Sequence, residues 1–324
     1  MVSCSPTGRW EAKPYANSWR NRMTDYYRKV PAEMREKFMR FRQEHPVKQA
    51  TIHGTQWEYI LGGDPAGQAL LLLPGGLGTA ESAWRIILQL DGRPYRLVCP
   101  SYPGELSSMT ALADGIAAIL EQEGIHPCYV VGSAYGSMLA QVFVHRHAEM
   151  VSRLVLTHAY PPVASRARSV EPTLKIIRWV PMSMVRNILR TQMTGRLPAD
   201  PSPELLLIAA QIRETLETRV TRQAAMSTYL RLADFDRQEY TYTDLESWAG
   251  RTLIILAEED LTTTDDLRNT LMAFYPGASL HMYKGSSKST ALLESGEYLQ
   301  VMEDFFAGKM DGNQVDEGGQ AATC

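Results

Sequence analysis

Two stretches of this chain hold residues whose types and spacing could do chemistry together. Residues 132–136 read Gly132-Ser133-Ala134-Tyr135-Gly136, between the apolar run "CYVV" and the helical pattern "YGSMLAQVFVHRH". A turn with glycines two places either side of its apex lifts the apex side chain above a strand end and against a helix N-terminus. A serine at that apex would be an acyl-transfer nucleophile; Ala134 has only a methyl group there. The second stretch, "LLLLPGGLG" (70–78), ends an earlier apolar run in Pro74-Gly75-Gly76. A loop of that kind offers backbone N–H groups to a developing oxyanion, which assigns Gly76 or Leu77 as one donor and Tyr135, next after the apex, as the other.

Two further positions would complete a catalytic set. "LIILAEED" puts Asp260 just past a strand, with Glu258 and Glu259 as competitors for the acid position. The base should follow the last strand, but "YKGSSKSTALLE" contains no histidine, and Lys288 stands at that place. A lysine works as a base only where burial depresses its pKa. His158, after "RLVLT", is the histidine expected nearest the pocket mouth, as a base or a polar anchor. Ser133 is the alternative nucleophile, although a step of one residue re-aims a side chain. His145 and His147 are two apart on one helix, the wrong spacing for a shared metal, and no CxxC pair exists, so neither metal nor cofactor is expected.

The surrounding pattern must position these residues. Residues 1–46 form an N-terminal extension, loose at first and then helical, divided near Pro31. A hairpin ("KQATIHG", "QWEYIL") opens the core, assigned to 47–163. From residue 68, short and almost wholly apolar runs alternate with helical stretches, which is the mark of a mostly parallel sheet covered on both faces. Residues 164–246 carry helices without a strand and form an insert, the lid. The core resumes over 247–307, and 308–324, glycine-rich and polar, should be a disordered tail. Within the insert, Ile176, Ile177, Val180, Met184, Val185 and Leu189 recur at helical spacing, which suits packing against the core, while the basic run beside them leaves open a peripheral membrane contact. The acidic residues of "RLADFDRQEYTYTDL" are assigned to the surface.

With these motifs in this order, the chain from about 47 to 307 resembles proteins of the α/β-hydrolase fold, both those with a GGSYGG elbow and the maspardin family, whose late loop also lacks histidine. The resemblance implies the α/β-hydrolase architecture, a mostly parallel central sheet with a helical lid. It also aligns Ala134 with the nucleophile and Lys288 with the base. Two of three triad positions are thus substituted. The leading expectation is a pseudo-enzyme that binds a small-molecule ligand or a protein partner. The alternatives are a lyase, cyclase or condensation catalyst that uses the oxyanion donors, and a residual hydrolase with a relocated nucleophile.

Composition narrows the classes. A net charge of -3 gives no electrostatic reason for nucleic acid as partner, and 44% apolar residues support a sizeable core. No run approaches the ~20 apolar residues of a membrane span. Cys99 and Cys128 lie in strand-like runs as buried thiols, which suits a cytoplasmic setting.

Overall fold

The computed structural model describes residues 25–195, 200–258, 264–283, 296–310 and 315–317. Its sheet follows from the alternation of side chains along short apolar strands. In β3 (Gln68–Leu73), Leu71 and Leu73 enter one core layer and Leu70 and Leu72 the other. The strands β5 (Cys128–Ser133), β6 (Val151–Thr157) and β7 (Arg251–Ala257) divide in the same way, Leu154 and Ile254 to one layer and Val155 and Ile255 to the other. Both faces of these strands are therefore buried under helices.

The remaining strands are β1 (Val47–Ile52), β2 (Thr55–Gly63), β4 (Tyr95–Ser101), β8 (Ser279–Tyr283) and β9 (Val315–Glu317). The order is β1-β2-β4-β3-β5-β6-β7-β8-β9. Pairing is antiparallel for β1 with β2 and β2 with β4, and parallel from β4 onward. β9 corrects the expectation of a wholly disordered tail. The outer edge of β8 presents unpaired backbone groups, and three residues of the polar C-terminal segment pair with them.

One helical layer is formed by α1 (Ala32–Glu44), α2 (Trp84–Leu90) and α10 (Gly296–Phe306), the other by α3 (Met109–Gln122), α4 (Tyr135–Arg146) and α9 (Asp265–Phe274). Pro31 stands at the N-cap of α1, which is where the sequence divides that region. Between β6 and β7 the chain makes four helices, α5 (Ala164–Trp179), α6 (Met182–Thr194), α7 (Pro203–Thr218) and α8 (Arg222–Asp236). Arg42 of α1 ties this insert down, pairing with Glu81 at 2.9 Å and with Glu214 of α7 at 2.7 Å. Tyr27 donates to the same Glu214 at 2.5 Å.

The lid is only partly packed. Ile177, Val185 and Ala225 are buried together, whereas Ile176 and Met184 of the same sequence stripe are exposed. Two acidic residues expected at the surface hold the last lid helix instead. Asp236 is buried and accepts from Arg166 and from the Val163 N–H, and Asp234 accepts from the Met109 N–H at the start of α3. A carboxylate can take up several donors at once, which makes it a useful anchor between segments.

Cys99 and Cys128 are buried free thiols. His145 sits against Tyr240, 3.8 Å between ring centroids, and neither of its ring nitrogens has a hydrogen-bond partner among the described residues. Burial lowers its pKa from the usual 6.5 to about 4. The folded state therefore disfavours the proton, and this contribution to stability is complete above pH 6.5 and lost as pH falls towards 4. The loss should be on the order of 2–3 kcal/mol. Denaturant unfolding at pH 7.5 and pH 4.5 should show less of a fall in His145→Phe than in the parent; equal falls would dismiss it.

Candidate functional site

The elbow is built by two close backbone approaches. Gly132 of β5 pairs with Leu73 of β3 on one side and with Leu156 of β6 on the other. A Cβ on Gly132 would lie 2.4 Å from the Gly136 carbonyl oxygen, and one on Gly136 only 2.0 Å from that of Leu73. Glycine is therefore required at both positions. Between them Ala134 adopts φ 50°, ψ -113°, a conformation that residues with a Cβ rarely take and that costs on the order of 1–3 kcal/mol. Its N–H donates to the Thr157 carbonyl at 2.9 Å, and its carbonyl accepts from the Ser137 N–H and hydroxyl. The strained apex that a nucleophile would need is kept, with a half-buried methyl on it.

Gly76, Leu77 and Tyr135, chosen from sequence as oxyanion donors, all line one cavity of about 760 Å³. The Gly75–Gly78 turn is closed by Gly78 N–H donating to the Gly75 carbonyl, and Tyr102 braces it by donating its hydroxyl to the Pro74 carbonyl at 2.8 Å. Met193 of α6 also lines this cavity, and its Cε would stand 3.8 Å from a Cβ on Gly76, so the lid closes over the loop. The Tyr135 ring is buried, 5.7 Å from the ring of Tyr102. Burial raises the Tyr135 hydroxyl to about 12 against the opposing pull of Arg231, so it is a proton donor at neutral pH.

Sequence reading missed Arg231, which lies on α8, is 3% exposed and lines the same cavity. The signal was present. Ser227, Arg231 and Phe235 are four apart and all buried, so the arginine occupies a core stripe of its helix.

Other candidates fall elsewhere. Ser133 lines a separate cavity of about 130 Å³ with Gln211, Trp84 and Tyr298. His158 is buried at the end of β6 with φ 48°, its N–H donating to the Ile255 carbonyl, and it lines neither cavity. Glu258 closes β7, its N–H donating to the Tyr283 carbonyl. Asp260, Glu259 and Lys288 lie outside the described residues. Among the described residues no group of three His, Cys, Asp or Glu is placed to hold a metal ion, and no helix is long and apolar enough to cross a membrane.

Comparison with known proteins agrees with this architecture. The family model described as alpha/beta hydrolase fold matches residues 68–285. RutD of Serratia proteamaculans, named as a candidate carbamate hydrolase, is 30% identical over 118 residues, 34% of this chain and 44% of that protein. The strigolactone esterase D14 of Arabidopsis thaliana is 30% identical over 102 residues, 28% of this chain and 38% of that protein. The matched segments thus span less than half of each relative. Among solved structures, an enol-lactonase from Burkholderia xenovorans superposes with a TM-score of 0.62 at 16% identity, over 80% of this chain and 100% of that one, a likeness of fold.

Proposed function

Because the chain belongs to the alpha/beta hydrolase fold family, we propose its function from the point where it departs from a hydrolase: it binds a ligand in the 760 Å³ cavity and does not hydrolyse esters. The observation that carries this reading is Ala134, a methyl at the apex of an elbow whose strained backbone is otherwise kept. Lys288 at the base position adds to it. Neither residue can perform the nucleophile and base steps of acyl transfer at neutral pH in the ordinary way. RutD and D14 carry names of hydrolytic enzymes, and this chain is proposed to bind its ligand without cleaving it. A cavity of this size, walled by apolar and polar side chains alike, suits a small organic ligand. The maspardin resemblance is consistent with a binding role. The test is turnover of p-nitrophenyl acetate by the purified parent. The expected rate is that of buffer, and a rate abolished by Ser133→Ala would move the nucleophile and overturn the reading.

A second reading has its own support. Gly76, Leu77 and Tyr135 line the cavity together, so their backbone N–H groups could stabilise an enolate without a covalent intermediate, as in lyase, cyclase or condensation chemistry. It predicts that solvent deuterium enters the methyl group of acetophenone on incubation with the protein. Incorporation no faster than in buffer rules it out.

The lid corner supports a peripheral contact with anionic lipid. Trp179 is 81% exposed, Ile176, Met184 and Ile188 are exposed beside it, and Arg168, Lys175, Arg178 and Arg190 are exposed on the same two helices. Apolar side chains with basic neighbours suit insertion at a headgroup boundary. The protein should sediment with phosphatidylserine-containing vesicles and not with phosphatidylcholine alone, and Trp179→Ala should reduce the bound fraction severalfold. Equal binding to both vesicle types would contradict this.

A further inference from the structure

Two residues that line the cavity each carry a buried polar group with no hydrogen-bond partner among the described residues, Nη1 of Arg231 and the hydroxyl of Tyr135. They are neighbours, with the guanidinium carbon 5.9 Å from the centroid of the tyrosine ring. The arginine is 3% exposed and the tyrosine 9%. The rest of the guanidinium is engaged on its own helix. Nε donates to the Ser227 carbonyl at 3.1 Å, and Nη2 to the Thr228 hydroxyl at 3.3 Å. Those bonds fix the plane of the group and leave Nη1 unpaired behind the cavity wall. Among the described residues no carboxylate pairs with it. Glu58, on the cavity wall, is paired with Arg219, and Glu105 is exposed.

A buried cation without a counter-charge is costly, and a buried donor without an acceptor adds to that cost. Both deficits are removed by one ligand, an anion that accepts from Nη1 and from the phenol. We propose that the cavity is a binding site for an organic monocarboxylate with an apolar body, its carboxylate held by Arg231 and Tyr135. This rests on the ligand-binding reading above and deepens it.

The number of donors points to one negative charge. A phosphate dianion would bring a second charge with no second buried cation to meet it, whereas a carboxylate has two oxygens for two donor groups. Part of the wall suits an apolar body, with Leu77, Leu189, Met193, Leu216, Val220 and Leu232 among its lining residues. The oxyanion candidates Gly76 and Leu77 line the same cavity.

The test compares two probes of equal shape and different charge, octanoate and octanamide, by isothermal titration at pH 7.5, where the acid is ionised. The parent should bind octanoate about 10- to 100-fold more tightly than the amide, the range expected when a charge-assisted bond replaces a neutral one. Arg231→Met keeps the length of the side chain and removes the charge. It should bring the two affinities within about twofold by weakening octanoate and sparing octanamide. Tyr135→Phe should weaken octanoate by about 3- to 10-fold. Should Arg231→Met fail to fold, the parent's preference and the Tyr135→Phe loss still decide the matter. Equal affinity of the parent for both probes, binding of neither at millimolar concentration, or tighter binding of octyl phosphate would each overturn the proposal. None of these outcomes depends on ester turnover, so a parent active on p-nitrophenyl acetate would remove the non-hydrolytic reading and leave this one standing.

Discussion

Replacing Ala134 by serine and Lys288 by histidine together is expected to raise the esterase activity of this chain far above that of the parent. Serine at 134 should cost the fold little, because alanine already places a Cβ at φ 50° and the hydroxyl adds one atom at a half-buried apex. The elbow hydrogen bonds run through the Ala134 backbone and do not change. The oxyanion candidates Gly76, Leu77 and Tyr135 already line one cavity. A hydroxyl without a base reacts slowly, and general-base help contributes about 10²- to 10⁴-fold. The double variant should therefore exceed Ala134→Ser by at least about 100-fold on p-nitrophenyl acetate, if Asp260 orients the new histidine. Asp260→Asn in the double variant should remove most of the gain. A double variant with the parent's melting temperature and no activity would show that the base or acid has been assigned to the wrong residue.

The other large effect is on stability. Gly136→Ala should destabilise the protein by about 3–5 kcal/mol, the range of severe single substitutions. The added Cβ would meet the Leu73 carbonyl oxygen at 2.0 Å and that of Pro74 at 2.8 Å. Both contacts are backbone, on β3 and the loop after it, so no side chain can rotate away. A fall in melting temperature on the order of 10 °C follows. Gly92→Ala is the control. Gly92 has φ 74° and open space where a Cβ would stand, so it should lose only the left-handed penalty of about 1–2 kcal/mol. Comparable losses in the two variants would mean that close packing at the elbow is not what requires glycine there.

The fold was legible because its signals are local. Runs such as "LLLLP" and "RLVLT" are too apolar for strands with one wet face, and the glycines at 132 and 136 mark an approach that needs both. That Gly76, Leu77 and Tyr135 meet at one cavity was legible for the same reason, since each lies within four residues of a strand end. Arg231 was not. It lies in the insert, and its burial depends on how α8 packs over a loop more than a hundred residues earlier. Asp236 escaped notice in the same way, since its partners Arg166 and the Val163 N–H lie about seventy positions before it. The pairing of Val315–Glu317 with β8 was hidden in a segment whose composition has little apolar surface to bury, where an available strand edge is the deciding factor. Asp260 and Lys288 stand as assignments from sequence.

The proposed function requires that no side chain at this elbow act as a nucleophile. Its most direct test is intact-mass analysis after exposure to a fluorophosphonate, which phosphonylates activated serines. No adduct is expected on the parent, and one adduct is expected on the Ala134→Ser, Lys288→His variant, mapped by digestion to residue 134. An adduct on the parent at Ser133 would contradict it, because the nucleophile would then have moved one residue and the chain would be a hydrolase.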